Sequence, residues 1–165
     1  MESGISAALI GRIRASAPNA KVIYLVSDLL ETIGAHPFIG EQLFRDRDCI
    51  DAFAVVARAM APSFKRFDRP VYFIPHGISK DDFEAPSATP FKGKRNVVTV
   101  GSMLFDKAVF ECAAEAMPDV DFHLIGAPKF PTDAKNIIQY ECMPFKETLP
   151  YIQHADVGVA PYRIS

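Results

Sequence analysis

Long apolar runs are missing from this chain. No stretch approaches the roughly 18 residues needed to cross a bilayer, and the N-terminus lacks the charged and apolar regions of a signal peptide. Cysteine is scarce as well: Cys49, Cys112 and Cys142 are odd in number, far apart and without a C-x-x-C pair, so neither a disulfide framework nor a zinc site is indicated. A reducing, cytoplasmic setting fits that usage. None of the four histidines pairs with another at metal-ligand spacing. Charge of one sign is also lacking. The formal net charge is -2 with no block of lysine and arginine, which argues against nucleic acid as a main partner. What the chain does have is apolar character, 49% of its 165 residues, enough to bury a core in one ordinary domain or in two small α/β halves.

Taken in order, Ser3 stands as a candidate N-cap before Ile5, Ala8, Leu9, Arg12 and Ile13, whose spacing puts one apolar stripe on a helix that ends at Pro18 and Asn19. Lys21 to Val26 is too short for a helix and rich in β-branched residues, so it reads as a buried parallel strand that stops at Ser27 and Asp28. A turn at Gly34 to Pro37 leads into a helix over Phe38 to Arg47. Ala52 to Val56 reads as a strand, Arg58 to Phe67 as a short helix broken by Pro62, and Val71 to Ile74 as a strand. Alternating strands and helices with short joins imply a parallel sheet.

Ser79 to Arg95 is polar and rich in proline and lysine, which marks a solvated connector and a domain boundary. A second unit then starts at Asn96. Asn96 to Val100 is a strand running into Gly101, and Asp106 sits where the N-cap of a helix over Lys107 to Met117 belongs. In open α/β sheets such a strand-to-helix turn lies where ligands bind, and a helix start offers unpaired N–H groups to an anion. The plain alternative is that Gly101 only lets the chain turn, since one glycine is far from a G-x-G-x-x-G fingerprint, and the Asp106 carboxylate itself opposes a phosphate there. Phe110, Ala113, Ala114 and Met117 form the apolar stripe of the helix, with Lys107, Glu111 and Glu115 outward. Strands follow at Asp121 to Ile125, Asn136 to Tyr140 and Val157 to Ala160, with a helix over Lys146 to His154 that contains Pro150. The last strand is followed only by Pro161 to Ser165, and Met1 opens almost inside a helix. The chain therefore reads as an internal piece of a longer protein.

Several segments carry a resemblance. Gly101 to Asp106, the stretch Met117-Pro118-Asp119 to Gly126, and Tyr151 to Tyr162 resemble segments of the xanthan-type, GumK-like glucuronosyltransferases. Glu2 to Ile5, Ser27-Asp28 followed by Thr32-Ile33, and His76-Gly77-Ile78 resemble that family's first domain and the approach to its interdomain linker. The likeness covers nearly all of this chain and only the middle of a complete enzyme. It implies a GT-B fold, α/β with parts of two Rossmann-like domains truncated at both ends: residues 1–78 from the acceptor-binding domain, 79–95 as linker, and 96–165 from the nucleotide-sugar-binding domain. It further implies metal-independent, inverting transfer of glucuronic acid from UDP-glucuronate to an oligosaccharide on a polyprenyl diphosphate at the inner membrane.

The resemblance makes Asp28 the catalytic base. That fits a carboxylate at a strand tip, placed to take the proton of an attacking hydroxyl. An ordinary aspartate, of pKa about 3.9, is a weak base that partial burial would improve. The competing role is an Asx-type cap. Donor contacts fall in the second unit. Ser102 and the backbone around Gly101 and Met103 can approach the diphosphate or ribose, and the resemblance places Met103, Met143 and Tyr162 near the UDP moiety, core packing being the alternative for both methionines. The family has an acidic residue directly before the position of Met143. Here Cys142 stands there and the acid is Glu141, which either reaches the same place from a shifted backbone or leaves the contact absent.

His76 can orient the cleft or the linker, or serve a hydrogen-bonded structural role, and His36, His123 and His154 read as structural. Phe64 to Arg69 is a candidate peripheral membrane contact, with a solvated loop carrying two buried phenylalanines as the plainer account. A non-catalytic α/β nucleotide-binding or interaction module, derived from a truncated glycosyltransferase, is the second functional reading.

Overall fold

The short β-branched runs form parallel strands, as near-continuous apolar character predicts. The computed structural model describes residues 2–93 and 95–163. The chain divides into two compact units, Met1–Ile78 and Ser79–Ser165, each an α/β unit around its own parallel sheet.

In the first unit, β1 (Ile23–Val26), β2 (Ala52–Val55) and β3 (Val71–Phe73) pair in that order, with Val26 opposite Val55 and Val55 opposite Phe73. Glu2 adds a parallel bridge to Leu25 of β1, an extended residue ahead of the first helix that the sequence pattern does not reveal. The first apolar stripe winds as a 3-10 turn over Ile5–Leu9 before α1 (Ile10–Ser16). Ser3 is not its cap. Gly4, at φ +117°, precedes the turn, no side chain caps it, and the Ser3 hydroxyl instead accepts the Asp28 N–H at 3.3 Å. A longer-range partner has won over the local one.

α2 (Pro37–Arg45) starts one residue before the expected Phe38, with proline in its first turn and His36 Nδ1 accepting the Phe38 N–H at 3.2 Å. Pro62 does not break α3 (Ala61–Phe64) but lies in its first turn, where a missing N–H is harmless, between 3-10 turns at Arg58–Met60 and Lys65–Phe67. Phe64 and Phe67 are buried. Their rings lie 4.9 and 4.8 Å from that of Phe53, which is fully buried on β2 and also meets Tyr24 edge-on. Asp51 ties the entry of β1 to α1 by accepting from Val22 N–H at 2.7 Å and Arg14 Nη2 at 2.6 Å, with Lys21 Nζ at 3.2 Å. These donors, the Val22 amide foremost, hold its carboxyl far below the usual range.

The segment at 79–95 is more than a solvated connector. It contains α4 (Lys80–Glu84) and packs on α6 (Phe145–His154), with Phe83 edge-on to Phe145 at 6.1 Å and Gln153 Nε2 donating to the carbonyls of Phe83 and Ala85. Phe83 gives this polar stretch its anchor. The second sheet contains β4 (Asn96–Val100), β5 (Asp121–Ile125), β6 (Ile137–Tyr140) and β7 (Val157–Gly158), in the order β6-β5-β4-β7, all parallel. β7 is two residues long, shorter than the run Val157 to Ala160 suggests.

α5 (Lys107–Ala116) packs Phe110 and Ala114 onto Phe122 and Leu124, while Met117, at the end of the expected stripe, has left the helix and is 42% exposed. The Ala108 N–H donates to Asp106 Oδ1 at 3.0 Å, and Lys107 pairs with Glu111 at 2.9 Å. Behind the sheet His123 is buried, with Nε2 3.2 Å from Asn96 Oδ1 and Nδ1 2.9 Å from the Tyr140 hydroxyl.

Candidate functional site

Asp28 lies two residues beyond the carboxyl end of β1, half-buried. Its backbone is held by Ser3, and its carboxylate accepts no hydrogen bond among the described residues. The Asx-cap role is therefore not the one it plays, and the oxygens are free to take a proton. It lines a pocket of about 490 Å³ within the first unit. The pocket is walled by Val26, Leu29, Leu30, Phe44, Phe64 and Phe67, with His36, Glu31, Glu41 and Arg66 as its other ionisable groups. An apolar hollow with a few polar groups is the usual form of a small-molecule site. The Arg66 guanidinium lies over the rings of Phe67 and Phe44, 5.2 and 5.9 Å from their centroids. Tyr24 also lines the pocket; its buried hydroxyl makes no hydrogen bond of ordinary geometry among the described residues, and burial pushes its pKa up, the nearby Gly4 backbone opposing.

In the second unit the strand order reverses beside β4: the chain proceeds from β4 to β5 on one side and returns to β7 on the other. Ligands of open α/β sheets bind at the carboxyl ends of the strands at such a switch point. The loop after β4 holds Gly101 at φ +108° and Leu104 at φ +51°, and the Phe105 N–H closes a turn onto the Ser102 carbonyl at 3.3 Å. A leucine in the left-handed region is strained where glycine would not be. Backbone bonds fasten the segment after β7 to this loop. Asp106 N–H donates to Pro161 O at 2.8 Å, Arg163 N–H to Leu104 O at 2.7 Å, and Phe105 and Tyr162 form an antiparallel bridge. Tyr162 is thereby bridged to the loop that also carries Gly101, Ser102 and Met103. Met103 is 54% and Tyr162 59% exposed, so core packing is not the role of Met103.

Glu141 and Met143 follow β6, at the same end of the sheet but two strands from β4, a separation of about 10 Å. Glu141 is exposed and forms an ion pair with Lys129 of the loop after β5. Cys142 is exposed beside Gly126. Met143 is half-buried and stands outside the core cluster of this unit.

Residues 1–56 match the family described as "Glucuronosyltransferase GumK, N-terminal domain". Over 163 residues, 98% of the chain, it is 36% identical to the UDP-glucuronate:glycolipid 2-beta-glucuronosyltransferase of Xanthomonas campestris pv. campestris. The chain is thus similar, along nearly all of its length, to a GumK-like glucuronosyltransferase. It spans 40% of the length of that curated relative. The similarity runs through both sheets, so the pocket at Asp28 and the loops around β4 lie within the matched stretch. A mixed α/β chain with two parallel sheets is also what part of a GT-B glycosyltransferase contains.

The histidines of the chain sort clearly. His36 caps α2; His123 is packed among Phe91, Tyr140 and Asn96, with burial lowering its pKa against the opposing Asp121. His154 Nε2 lies 2.8 Å from Ser87 O. His76 is exposed, and its ring makes no hydrogen bond among the described residues. Among those residues no group of three or more His, Cys, Asp or Glu side chains is placed to hold a metal ion, and no helix is long and apolar enough to cross a membrane. Phe64 and Phe67 of the candidate membrane segment point into the core. Sequence reasoning gives no site role to Tyr24, Lys129 or Arg163, and places Arg66 only in the candidate membrane segment. The signal available for the arginine and lysine positions was a cation on a short loop next to a strand end.

Proposed function

We propose that the protein is an inverting glycosyltransferase that moves a sugar from a UDP-sugar to a lipid-linked acceptor, with Asp28 as general base. The donor is UDP-glucuronate and the acceptor an oligosaccharide on a polyprenyl diphosphate, reached from the cytoplasmic side by peripheral contact with the inner membrane. One observation carries this reading. A carboxylate without hydrogen bonds faces a pocket of about 490 Å³ at a strand end in the first unit, and the chain's similarity to a UDP-glucuronate:glycolipid glucuronosyltransferase covers that unit.

In the reaction the acceptor hydroxyl attacks the anomeric carbon as the bond from that carbon to the UDP oxygen breaks. The hydroxyl proton passes to Asp28, and UDP departs with the bonding pair. The first unit presents the acceptor. Aromatic and carboxylate walls suit it, since Phe44 offers a flat apolar face while Glu31 and Glu41 can accept from sugar hydroxyls. The loops after β4 and β7 bind the donor, with Gly101, Ser102 and Met103 against the diphosphate and ribose and Tyr162 against the uracil. Glu141 and Met143 complete that side, and Glu141 must first share or leave its pairing with Lys129. The donor is held by side chains and amides, without a resident metal.

The test is transfer by the full-length protein with a panel of UDP-sugars and a lipid-linked oligosaccharide. Asp28→Ala should lower turnover about 10²–10⁴-fold and leave UDP binding unchanged. Transfer at the wild-type rate would remove Asp28 from the mechanism, and failure to use any UDP-sugar would favour the non-catalytic module.

A further inference from the structure

The loop after β4 is poorly supplied with partners. The N–H groups of Ser102, Met103 and Leu104 donate to nothing among the described residues, and all three residues are exposed. Successive free amides in a tight turn with a left-handed residue form a concavity of partial positive charge that suits an anion. The start of α5 does not serve this purpose, because Asp106 already accepts the Ala108 amide there. An anion at this end of the sheet therefore meets the turn rather than the helix.

Free amides alone do not balance two phosphate charges, and the nearby cations are mostly committed. Lys107 pairs with Glu111 and Lys129 with Glu141. Arg163 differs from both. Its backbone is fastened to Leu104 at 2.7 Å, one residue beyond the bridge between Tyr162 and Phe105, and its exposed side chain has neither an ion pair nor a hydrogen bond among the described residues. A guanidinium matches phosphate oxygens in bidentate geometry and stays charged at every working pH.

We propose that Arg163, with the free amides of Ser102 and Met103, binds the diphosphate of the nucleotide donor and carries the charge that builds on it as it leaves. This assignment rests on the donor reading above and adds to it the cation that reading lacks. It also gives the backbone bonds between the two loops a purpose: they hold the backbone of Arg163 against Leu104, next in sequence to the free amides, so that a long side chain there can share a phosphate pair with them.

The experiment is a titration of full-length protein with UDP, with uridine and with inorganic pyrophosphate, for the wild type, Arg163→Ala and Arg163→Lys. In Arg163→Ala, UDP affinity should fall by about tenfold or more, while uridine affinity stays as it was. Arg163→Lys should recover part of the loss. Pyrophosphate should compete with UDP in the wild type and lose that ability in Arg163→Ala. An Arg163→Ala protein that binds UDP as the wild type does, or one in which uridine and UDP weaken together, would overturn the assignment to Arg163. A wild-type protein that binds pyrophosphate but shows no preference for UDP over it would place the anion on another molecule, such as a lipid diphosphate, and overturn the nucleotide assignment. Binding of neither UDP nor uridine to the wild type would instead overturn the donor reading itself.

Discussion

The two units solve the same problem differently. In the first, the candidate site is a walled pocket. Asp28 is held by a serine from far away in sequence, and the hollow beside it is shaped by Phe44, Phe64 and Phe67. In the second, the candidate residues stand on open loops aligned by backbone bonds among positions 104, 105, 106, 161, 162 and 163. A pocket fixed by side chains depends on the identity of each wall residue. Loops fixed by backbone bonds can present new side chains without losing alignment. The first arrangement suits a group that must be aimed at one proton, the second a large ligand gripped at several points.

The comparison predicts separable stabilities. Phe53 meets Tyr24, Phe64 and Phe67 in the first core alone. Phe53→Ala should cost about 3–5 kcal/mol there, and hydrogen exchange should show Val26 and Val55 losing protection while Val98 and Leu124 keep theirs. Equal loss in both sheets would mean that the units unfold as one. A smaller effect belongs to the second unit. Asp106→Ala removes the cap of α5 and should lower that unit's stability by about 1 kcal/mol, read from the denaturant midpoint, with the first unit unmoved.

The smallest effect is tied to pH. Burial lowers the pKa of His123, with Asp121 opposing, while Tyr140, pushed up to about 12 by burial and its neighbour Tyr151, stays a neutral partner. The unfolded chain therefore takes up the proton first as pH falls below about 6.5, and the second unit should lose stability across that window and regain it above. His123→Gln should flatten the dependence in denaturant midpoints measured from pH 7 to 5.

The sequence made much of this legible because strand period, proline and the Asp106 cap are local signals. Both parallel sheets, the Asp106 cap and the placing of Gly101 to Met103 and Tyr162 on loops at strand ends follow from them, whereas the His36 cap does not. Ser3 departs from the expected cap for a physical reason: a cap and a long-range acceptor need the same hydroxyl, and only packing decides between them. Met117 fits the helical spacing but falls where the helix has already ended. The anchoring of the connector rests on Phe83, one aromatic residue in a polar stretch. Arg163 was overlooked because an exposed arginine has no pattern of its own, and its meaning comes from the neighbour to which its backbone is bonded.

The Gln153 amide that donates to the carbonyls of Phe83 and Ala85 limits how halves of related enzymes can be recombined. The stretch before Asn96 travels with α6, so a chimera joined at residue 95 would part Gln153 from its acceptors and set a foreign leader against a native helix. A junction just ahead of Ser79 carries the whole latch across with its own helix.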